Sequence, residues 1–437
     1  MAARVRRIRP LRLLILGYAL YIAATWLALT IPLCQAQPVR PIDNLFTAAS
    51  AVSTTGLVTV NTPVAYTLFG ELVILIAFQI GGLGYMTLGS FIVLSRRDDL
   101  SVTRERVGRL VFTLPEDFDL RQFLRHVVVF TFSVEIAGAA GLWFAFRSAG
   151  LEHALWPALF HSVSAFCTAG FSVFPDSLES FRGNAWVNIL VGALSVMGAV
   201  GFLVASDLWL TLSGRRRRTT LTTRIILHMT LWLILTGWAL LFLVEPAFGA
   251  LPAHERLLAS GFQAMTALTT VGFDTHAIGT LGHASTLVLV VLMVLGASPA
   301  GTGGGLKSTS VSAALAVLWS TLRGRSEVTF WGARVPSHRL FAAYAALVFY
   351  IVTLFGGTLL LLLVQTQPFD DVLFEAASGL GTVGLSRGIT ADLTPLGKLI
   401  VTGLMFVGRL GPLTFGLALF AMRPRAQEPG EQDLVVS

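Results

Sequence analysis

Charged residues are scarce in this chain of 437 residues, where they make up 13% of the sequence against 54% apolar residues. A typical soluble domain carries about 25% charged residues. This shortage excludes fibrous, disordered and nucleic-acid-binding proteins as descriptions of the whole chain. Cysteine is equally rare, because only Cys34 and Cys167 occur, far apart and in no CxxC spacing. Neither a disulfide framework nor a cysteine metal site is therefore indicated.

Catalytic and nucleotide-binding motifs are also missing. The sequence has no Rossmann glycine motif after a strand pattern and no Walker motif. The segment SPAGTGGGLK approaches a phosphate-binding loop, but Leu306 stands where the second glycine must be. The eight histidines are scattered and form no Ser/His/Asp or metal-binding constellation. The sequence therefore predicts a protein that is not an enzyme, does not hydrolyse ATP by itself and carries no covalently bound cofactor.

Long apolar stretches are abundant instead. A membrane-spanning helix needs about 20 apolar residues. Eight stretches meet that length, at residues 11–34, 68–94, 123–147, 184–212, 225–248, 285–320, 340–365 and 396–422. Within each successive pair lies a shorter apolar stretch, at 41–53, 154–167, 254–269 and 369–381. These four are too short to span and suit re-entrant half-helices, which need cover from protein or a watery cavity.

Basic residues mark one side of the predicted membrane protein. The N-terminal segment, the 95–125, 214–224 and 322–339 connections and the C-terminus together carry 23 of the 31 basic residues. Because such residues concentrate on the cytoplasmic side, we predict a multi-pass protein of the cytoplasmic membrane with both termini cytoplasmic. The four short stretches then enter from outside. The run from Arg215 to Arg218 is interpreted as a topology anchor, with a docking surface for a cytosolic partner as the alternative.

The four short stretches share one pattern, F-x3-[ST]-x3-T-x-G-[LF], without a gap. They read FTAASAVSTTGL, FHSVSAFCTAGF, FQAMTALTTVGF and FEAASGLGTVGL, starting at Phe46, Phe160, Phe262 and Phe374. Their glycines are 114, 102 and 112 residues apart, so each repeat unit is a helix, a short re-entrant helix, a turn and a helix. The predicted units cover residues 1–100, 101–214, 215–325 and 326–437. Close helix packing alone also favours small residues, but four copies in one register favour a shared function.

The repeated Thr-x-Gly turn suits a filter for a dehydrated cation. Rings of backbone carbonyls can replace the water shell of potassium, and glycine adopts the unusual backbone angles that aim successive carbonyls inward. Each short helix also ends at the turn, where its C-terminus carries partial negative charge. No carboxylate occurs in the turns, which favours selection by carbonyls. The predicted potassium-binding residues are Thr54, Thr55, Gly56, Thr168, Ala169, Gly170, Thr270, Val271, Gly272, Thr382, Val383 and Gly384.

The sixth predicted span is interrupted by glycines in the third unit. Proline and repeated glycine make a poor helix, so Gly301, Thr302, Gly303, Gly304 and Gly305 form either a simple kink or a movable loop that gates the pore. Three ionisable residues lie within spans, where charge is costly and is commonly functional or paired. They are Glu135, interpreted as a helix-packing acid, Lys307, beside the glycines, and Arg409. For Arg409 two interpretations are open, a structural ion pair and a place below the filter where it raises a barrier to cations and helps to hold the glycine loop.

Further segments carry a family resemblance. They are IGGLGYMTLGSF from Ile80, SPAGTGGGLKST from Ser298, GTVGLSRGIT from Gly381 and LMFVGRLGPLT from Leu404. With the filter pattern, which is similar to that of tetrameric potassium channels, they make the whole chain resemble the Ktr/Trk/HKT potassium uptake family, and most of all its Ktr-type translocating subunit. Some plant relatives carry serine at the first filter glycine and pass sodium, so Gly56 favours potassium.

The resemblance implies an all-α integral membrane protein with four M1–pore-helix–M2 repeats and pseudo-fourfold symmetry around a central pore. It also implies gating by the loop in the third unit, a homodimer and a separate cytosolic nucleotide-binding regulatory subunit; stimulation by sodium stays open. The predicted function is potassium uptake. The alternative is an ion-coupled secondary transporter of a small solute, whose repeats are usually two. An intramembrane enzyme lacks any catalytic set here.

Overall fold

The computed structural model of the chain describes residues 10–84, 120–411 and 415–416, apart from residues 215, 297, 326 and 332. Within these residues the chain is mostly helical. The helices of its first half are α1 (Pro10–Leu29), α2 (Pro41–Val52), α3 (Leu68–Leu83), α4 (Leu120–Ser148), α5 (Leu155–Phe166), α6 (Ala185–Val200) and α7 (Phe202–Leu212). Short turns of helix lie between them at Pro32–Cys34, Thr62–Ala65 and Glu179–Phe181.

The second half continues in the same manner. Its longer helices are α8 (Leu221–Val244), α9 (Ala253–Thr269), α10 (His283–Leu295), α11 (Ser308–Leu322), α12 (Ser337–Leu362), α13 (Phe369–Gly381) and α14 (Pro395–Leu410). Single turns lie at Pro246–Gly249 and Ile278–Thr280. A small hairpin of β1 (Thr329–Phe330) and β2 (Ala333–Arg334) joins α11 to α12, with Thr329 paired to Arg334.

Several helices begin at a polar residue that satisfies a free backbone N–H group. The Thr67 side chain accepts from the N–H of Gly70 ahead of α3, and Asn184 does the same for Val187 ahead of α6. Thr394 accepts from the N–H of Gly397 at the start of α14, where Pro395 supplies the backbone angle suited to a first helical turn. Local sequence therefore fixes where these apolar helices begin.

Helices α2, α5, α9 and α13 occupy the four short stretches that carry the repeated pattern. Each follows a longer helix and packs against it: α1 contacts α2, α4 contacts α5, α8 contacts α9, and α12 contacts α13. The phenylalanine that opens the pattern is buried in every copy. The apolar residue after the glycine is buried as well, at Leu57, Phe171, Phe273 and Leu385. The pattern therefore places both ends of each turn against the core.

Three of the described helices, α4, α8 and α12, are long and apolar enough to cross a membrane. The pair α6 and α7 passes the same test together, and α1, α3, α10 and α11 are shorter apolar helices. The second and eighth predicted spans, 68–94 and 396–422, extend beyond the described residues. The part of the chain that the structure describes thus carries several apolar helices of membrane type.

The fourth predicted span, 184–212, is not one continuous helix. It bends by 95° between α6 and α7, at Gly201, whose φ of +96° is open to glycine but rare for other residues. The sixth predicted span is interrupted as the sequence suggested, because α10 ends at Leu295 and α11 begins at Ser308. Both breaks lie at glycines, and the two broken regions contact each other, as described below.

An ion pair joins α14 to α2. The Nζ of Lys398, on α14, lies 2.6 Å from Oδ1 of Asp43, on α2, and both side chains are 2% exposed. Asp43 also accepts from Nε of Arg40 at 2.8 Å. A buried carboxylate needs such partners because desolvation of its charge is costly.

Candidate functional site

The four Thr-x-Gly turns share one backbone conformation. Thr54, Thr168, Thr270 and Thr382 have φ between +49° and +58°. Gly56, Gly170, Gly272 and Gly384 have φ between +66° and +97°. A threonine in the left-handed region is uncommon and costs on the order of 1–3 kcal/mol, so it persists only where its surroundings enforce it. Four copies of one strained turn indicate a single purpose for that geometry.

Hydrogen bonds from the preceding helix hold each turn. The residue between threonine and glycine donates its N–H to the carbonyl of the Ser or Thr in the pattern. Thr55 bonds to Ser50 at 2.8 Å and Ala169 to Ser164 at 2.8 Å. Val271 bonds to Thr266 at 3.2 Å and Val383 to Ser378 at 2.8 Å. These bonds anchor every turn at the C-terminal end of its short helix, where the helix dipole is negative.

The four turns close into a ring. A Cβ added at Gly56 would lie 2.5 Å from the carbonyl oxygen of Ala169 and 3.1 Å from Cα of Gly170. In the same way Gly170 abuts the carbonyl of Val271, Gly272 abuts that of Val383, and Gly384 abuts that of Thr55. The contacts therefore run through all four copies and return to the first. All twelve predicted filter residues lie in this ring.

Each quarter of the ring contributes a backbone carbonyl oxygen and follows the C-terminal end of a short helix. The backbone oxygens of Thr55, Ala169, Val271 and Val383 each lie against the glycine of the adjacent copy. Crowded carbonyls of this kind can replace the hydration shell of an alkali cation. The absence of a side chain at each glycine is required, because a Cβ would collide with the neighbouring backbone.

The Ser or Thr of the pattern has a further role that sequence reasoning missed. The hydroxyl oxygens of Ser50 and Ser378 accept from the N–H groups of Gly56 and Gly384, both at 3.1 Å. In the second and third copies the hydroxyl donates to the carbonyl past the glycine, Ser164 to Phe171 at 2.8 Å and Thr266 to Phe273 at 2.7 Å. The invariant hydroxyl within the four copies was the available signal. It fixes the far end of each turn.

The glycine loop between α10 and α11 lies directly against the threonine side of the ring. Thr302 is fully buried. Its carbonyl accepts from the hydroxyl of Thr54 at 3.4 Å, and its hydroxyl lies 3.2 Å from that of Thr168. A Cβ at Gly304 would collide with the side chain of Thr382. The loop thus touches the turns of the first, second and fourth units.

Two basic side chains, those of Arg409 and Lys307, hold this loop in place. Nη1 of Arg409, on α14, donates to the carbonyl of Thr302, and Nη2 donates to the carbonyl of Gly81 at the end of α3. Nζ of Lys307 donates to the carbonyl of Gly303 at 2.8 Å. Both terminal guanidinium nitrogens of Arg409 thus donate to backbone carbonyls, so the geometry favours its loop-holding role over that of an ion-pair partner.

The other side of the loop docks into the bend between α6 and α7. The N–H of Ser298 donates to the carbonyl of Ala199 at 3.1 Å, and the N–H of Phe202 donates to the carbonyl of Ala300 at 3.0 Å. A Cβ at Gly201 would lie 2.8 Å from the carbonyl of Pro299. The two broken spans therefore satisfy each other's backbone groups, a requirement for irregular backbone at membrane depth.

An acidic residue lies just beyond the ring in the third unit. Asp274 follows Gly272 by two residues, in the segment that leaves the ring on the side away from the loop. Burial raises the pKa of Asp274 to about 7, while a hydrogen bond with Ser177 acts in the opposite direction. The nearby carboxylates of Glu179 and Asp176 raise this pKa further.

Comparison with known proteins identifies the family of this chain. The model of the TrkH family, described as a cation transport protein, matches residues 20–428. The chain belongs to the TrkH family. Membership confirms the resemblance predicted from the sequence, and it makes the chain a multi-pass membrane protein of a transport family rather than an enzyme.

Relatives of this TrkH-family chain are potassium uptake proteins by name. It is 34% identical to Ktr system potassium uptake protein B of Bacillus subtilis, over 94% of this chain and 92% of the relative. It is 31% identical to the potassium/sodium uptake protein NtpJ of Enterococcus hirae, over 98% and 96%. The crystal structure of the potassium transporter TrkH from Vibrio parahaemolyticus matches with a TM-score of 0.74 and 17% identity, over 96% of this chain and 86% of that one. The structural likeness supports the fold.

Proposed function

We propose that this protein carries potassium into the cell through the ring formed by its four Thr-x-Gly turns. The single observation that carries this proposal is the closed cycle of glycine-to-carbonyl contacts at Gly56, Gly170, Gly272 and Gly384. Potassium is the transported substrate, held by backbone oxygens and selected by the cost of its dehydration. The names of the Ktr relatives support potassium as the ion, and that of NtpJ leaves sodium open as a second ion or an activator.

The proposed architecture has eight spans in four units of helix, pore helix and helix, with pseudo-fourfold symmetry around the ring. Residues 1–100, 101–214, 215–325 and 326–437 form the units. The positions of α2, α5, α9 and α13 support this division, since each lies between longer apolar helices. Both termini are proposed to be cytoplasmic, because they share a side with the arginine-rich connections in this architecture and such connections concentrate on the cytoplasmic side of a membrane.

The loop Gly301–Gly305 is proposed to be the gate. It lies across the threonine side of the ring, where Thr302 contacts Thr54 and Thr168. Arg409 and Lys307 hold it closed through its carbonyls, and their charges raise a barrier to cations there. Opening requires the loop to leave these donors.

Two kinds of partner belong to the proposal. A homodimer and a cytosolic nucleotide-binding subunit follow from the resemblance to Ktr systems, and relatives named as parts of such a system support the second. The basic cytoplasmic connections are compatible with both.

The test is uptake in a bacterial strain that lacks its own potassium uptake systems. Expression of this chain, with a Ktr-type regulatory subunit, should restore growth at low potassium and produce rubidium uptake. The Gly56→Ser variant should lower discrimination against sodium. The Gly356→Ser variant should leave it unchanged, because a Cβ added at Gly356 would meet no atom outside its own stretch of helix within 4 Å. Solute-dependent ion flux, or selectivity unaffected by Gly56→Ser, would instead support an ion-coupled solute transporter.

A further inference from the structure

The residue directly after the pattern's phenylalanine is polar in every copy. It is Thr47 in the first copy, His161 in the second, Gln263 in the third and Glu375 in the fourth. All four are fully buried, with 0% exposure. Burial of a polar group is costly unless it forms hydrogen bonds. The same helical position therefore carries four different polar groups behind the ring, and their partners reveal what they do.

In the second and fourth copies this side chain reaches a serine two residues beyond the ring glycine. Nε2 of His161 lies 2.9 Å from Oγ of Ser172. Oε2 of Glu375 accepts from Oγ of Ser386 at 2.8 Å. Each serine also accepts from a backbone N–H two residues later, Ser172 from Phe174 at 2.9 Å and Ser386 from Gly388 at 3.0 Å. The two copies thus build the same three-part connection.

The third copy reaches the equivalent segment with an amide. With its amide oriented to satisfy its neighbours, Gln263 accepts from the N–H groups of Thr275 at 3.1 Å and His276 at 3.2 Å. Both follow Gly272 closely in sequence. Three of the four polar side chains therefore tie the short helix to the chain that leaves the ring.

Glu375 makes the strongest of these connections. Its second oxygen, Oε1, lies 2.5 Å from Oγ1 of Thr390, so both carboxyl oxygens receive hydroxyl groups from the segment after Gly384. The neighbouring Arg387 is engaged elsewhere, with Nε 2.5 Å from Oδ1 of Asp371 and Nη1 2.6 Å from the hydroxyl of Thr286.

We propose that Glu375 is a positioning residue for ion selection. Through Ser386 and Thr390 it fixes the segment that leaves the fourth turn, and this sets the position of Gly384 and of the Val383 carbonyl in the ring. Selection between potassium and sodium depends on the spacing of such oxygens and on their field. This inference rests on the proposed function, because it assigns a residue that tunes the ring.

The experiment measures ion discrimination in purified protein reconstituted together with a Ktr-type regulatory subunit, as in the growth test. Rubidium uptake into liposomes, with sodium and potassium as competitors, is compared for the wild type, Glu375→Gln and Ser386→Ala. Glutamine cannot accept with both terminal atoms, and alanine removes one donor, so each variant should reduce discrimination against sodium by up to about tenfold, the upper end of the range for one ordinary hydrogen bond. The double variant should show no further loss, because both changes break one connection.

Glu71→Gln is the matched control. Glu71 is also buried and accepts a hydrogen bond, from Nε1 of Trp156 at 2.6 Å, but it lies on α3 away from the turns. It should keep wild-type discrimination. A Glu375→Gln protein with lowered thermal stability but unchanged discrimination would overturn the proposal in favour of a structural role. Should Glu375→Gln fail to fold, unchanged discrimination in Ser386→Ala would overturn it equally.

Failure of the proposed function has a different signature. If the wild-type protein carries no rubidium, both the ring assignment and this inference are wrong. If the wild type takes up rubidium normally and the variants keep its discrimination against sodium, only the role of Glu375 is wrong.

Discussion

Threonine at a left-handed backbone angle is the residue-scale signature of this molecule. Each such residue costs on the order of 1–3 kcal/mol, and Thr54, Thr168, Thr270 and Thr382 all have it. The strain is tolerated because an N–H one residue later is bonded to the short helix and the glycine two residues later lies against the next turn. These contacts therefore hold each threonine in its strained conformation, and the glycine permits the close approach of the next turn.

Substitution of a ring glycine should damage the site. Gly272→Ala would place a Cβ against the carbonyl of Val383 and 2.9 Å from Cα of Gly384, at a φ of +83°. We expect rubidium uptake to fall by at least about tenfold, since strain and collision together exceed about 1–2 kcal/mol. The Gly403→Ala variant should transport normally, because Gly403 is exposed and an added Cβ would meet no atom outside its own stretch of helix within 4 Å. Equal uptake by the two variants would contradict the ring.

The pH of the solution that reaches Asp274 should affect transport. Because burial raises its pKa to about 7, this carboxyl is neutral at pH 6 and ionised at pH 8. A negative charge beside the ring raises the local cation concentration, so uptake should rise across this pH range at low ionic strength. The Asp274→Asn variant should lose most of the rise. An unchanged pH profile in that variant would assign the effect to another group, such as Glu179, whose pKa burial also raises.

At the scale of elements, two broken spans form one unit. The loop between α10 and α11 donates to and accepts from the bend at Gly201, and its opposite side meets the ring threonines. The bend therefore exists to receive the loop, since a straight fourth span would leave the N–H of Ser298 and the carbonyl of Ala300 without these partners.

Removal of the loop should open the pathway. Deletion of Gly301–Gly305 takes away the backbone against the ring, and we expect a higher rubidium flux, measured per molecule of membrane-inserted protein. Arg409→Gln should give a smaller rise, because the loop loses one anchor but keeps that of Lys307. Arg323→Gln, at an exposed position, is the control. Unchanged or lost flux in a well-folded deletion variant would argue against a gate.

Sequence reasoning anticipated the elements that repeat and missed those that depend on distant contacts. The Thr-x-Gly turns and the glycine loop carry their geometry in local composition, so both were predictable. The bend at Gly201 was not, because one glycine in an apolar run is compatible with a straight helix, and its cause lies about 100 residues further along the chain. The role of Ser50 was missed for a different reason, since the hydroxyl recurs in all four copies but the pattern does not say which backbone group it bonds.

At the scale of the whole molecule, the ring must close between the last unit and the first. The contact of Gly384 with the carbonyl of Thr55 is one such closure, and the buried pair of Lys398 with Asp43 is a second. Both depend on chain segments more than 300 residues apart. Stability of the ring is therefore coupled to the order of the complete chain.

Breaking this pair should destabilise the protein asymmetrically. Asp43→Asn leaves Lys398 buried without its partner, and removal of one member of a buried pair costs roughly 3–5 kcal/mol. Lys398→Met should cost less, because Asp43 keeps Arg40 at 2.8 Å. Thermal unfolding in detergent measures both. The double variant should recover much of the loss, and a double variant less stable than Asp43→Asn would contradict this account.

A ring built from one polypeptide permits each quarter to differ. Ala169 stands where the first unit has Thr55 and the others have valine, and the third unit supplies the glycine loop at Gly301–Gly305. In an assembly of identical subunits every substitution would appear four times at once. Here a single gene can carry one, two, three or four altered quarters, so the dependence of ion choice on each quarter can be titrated step by step, in adjacent or opposite combinations.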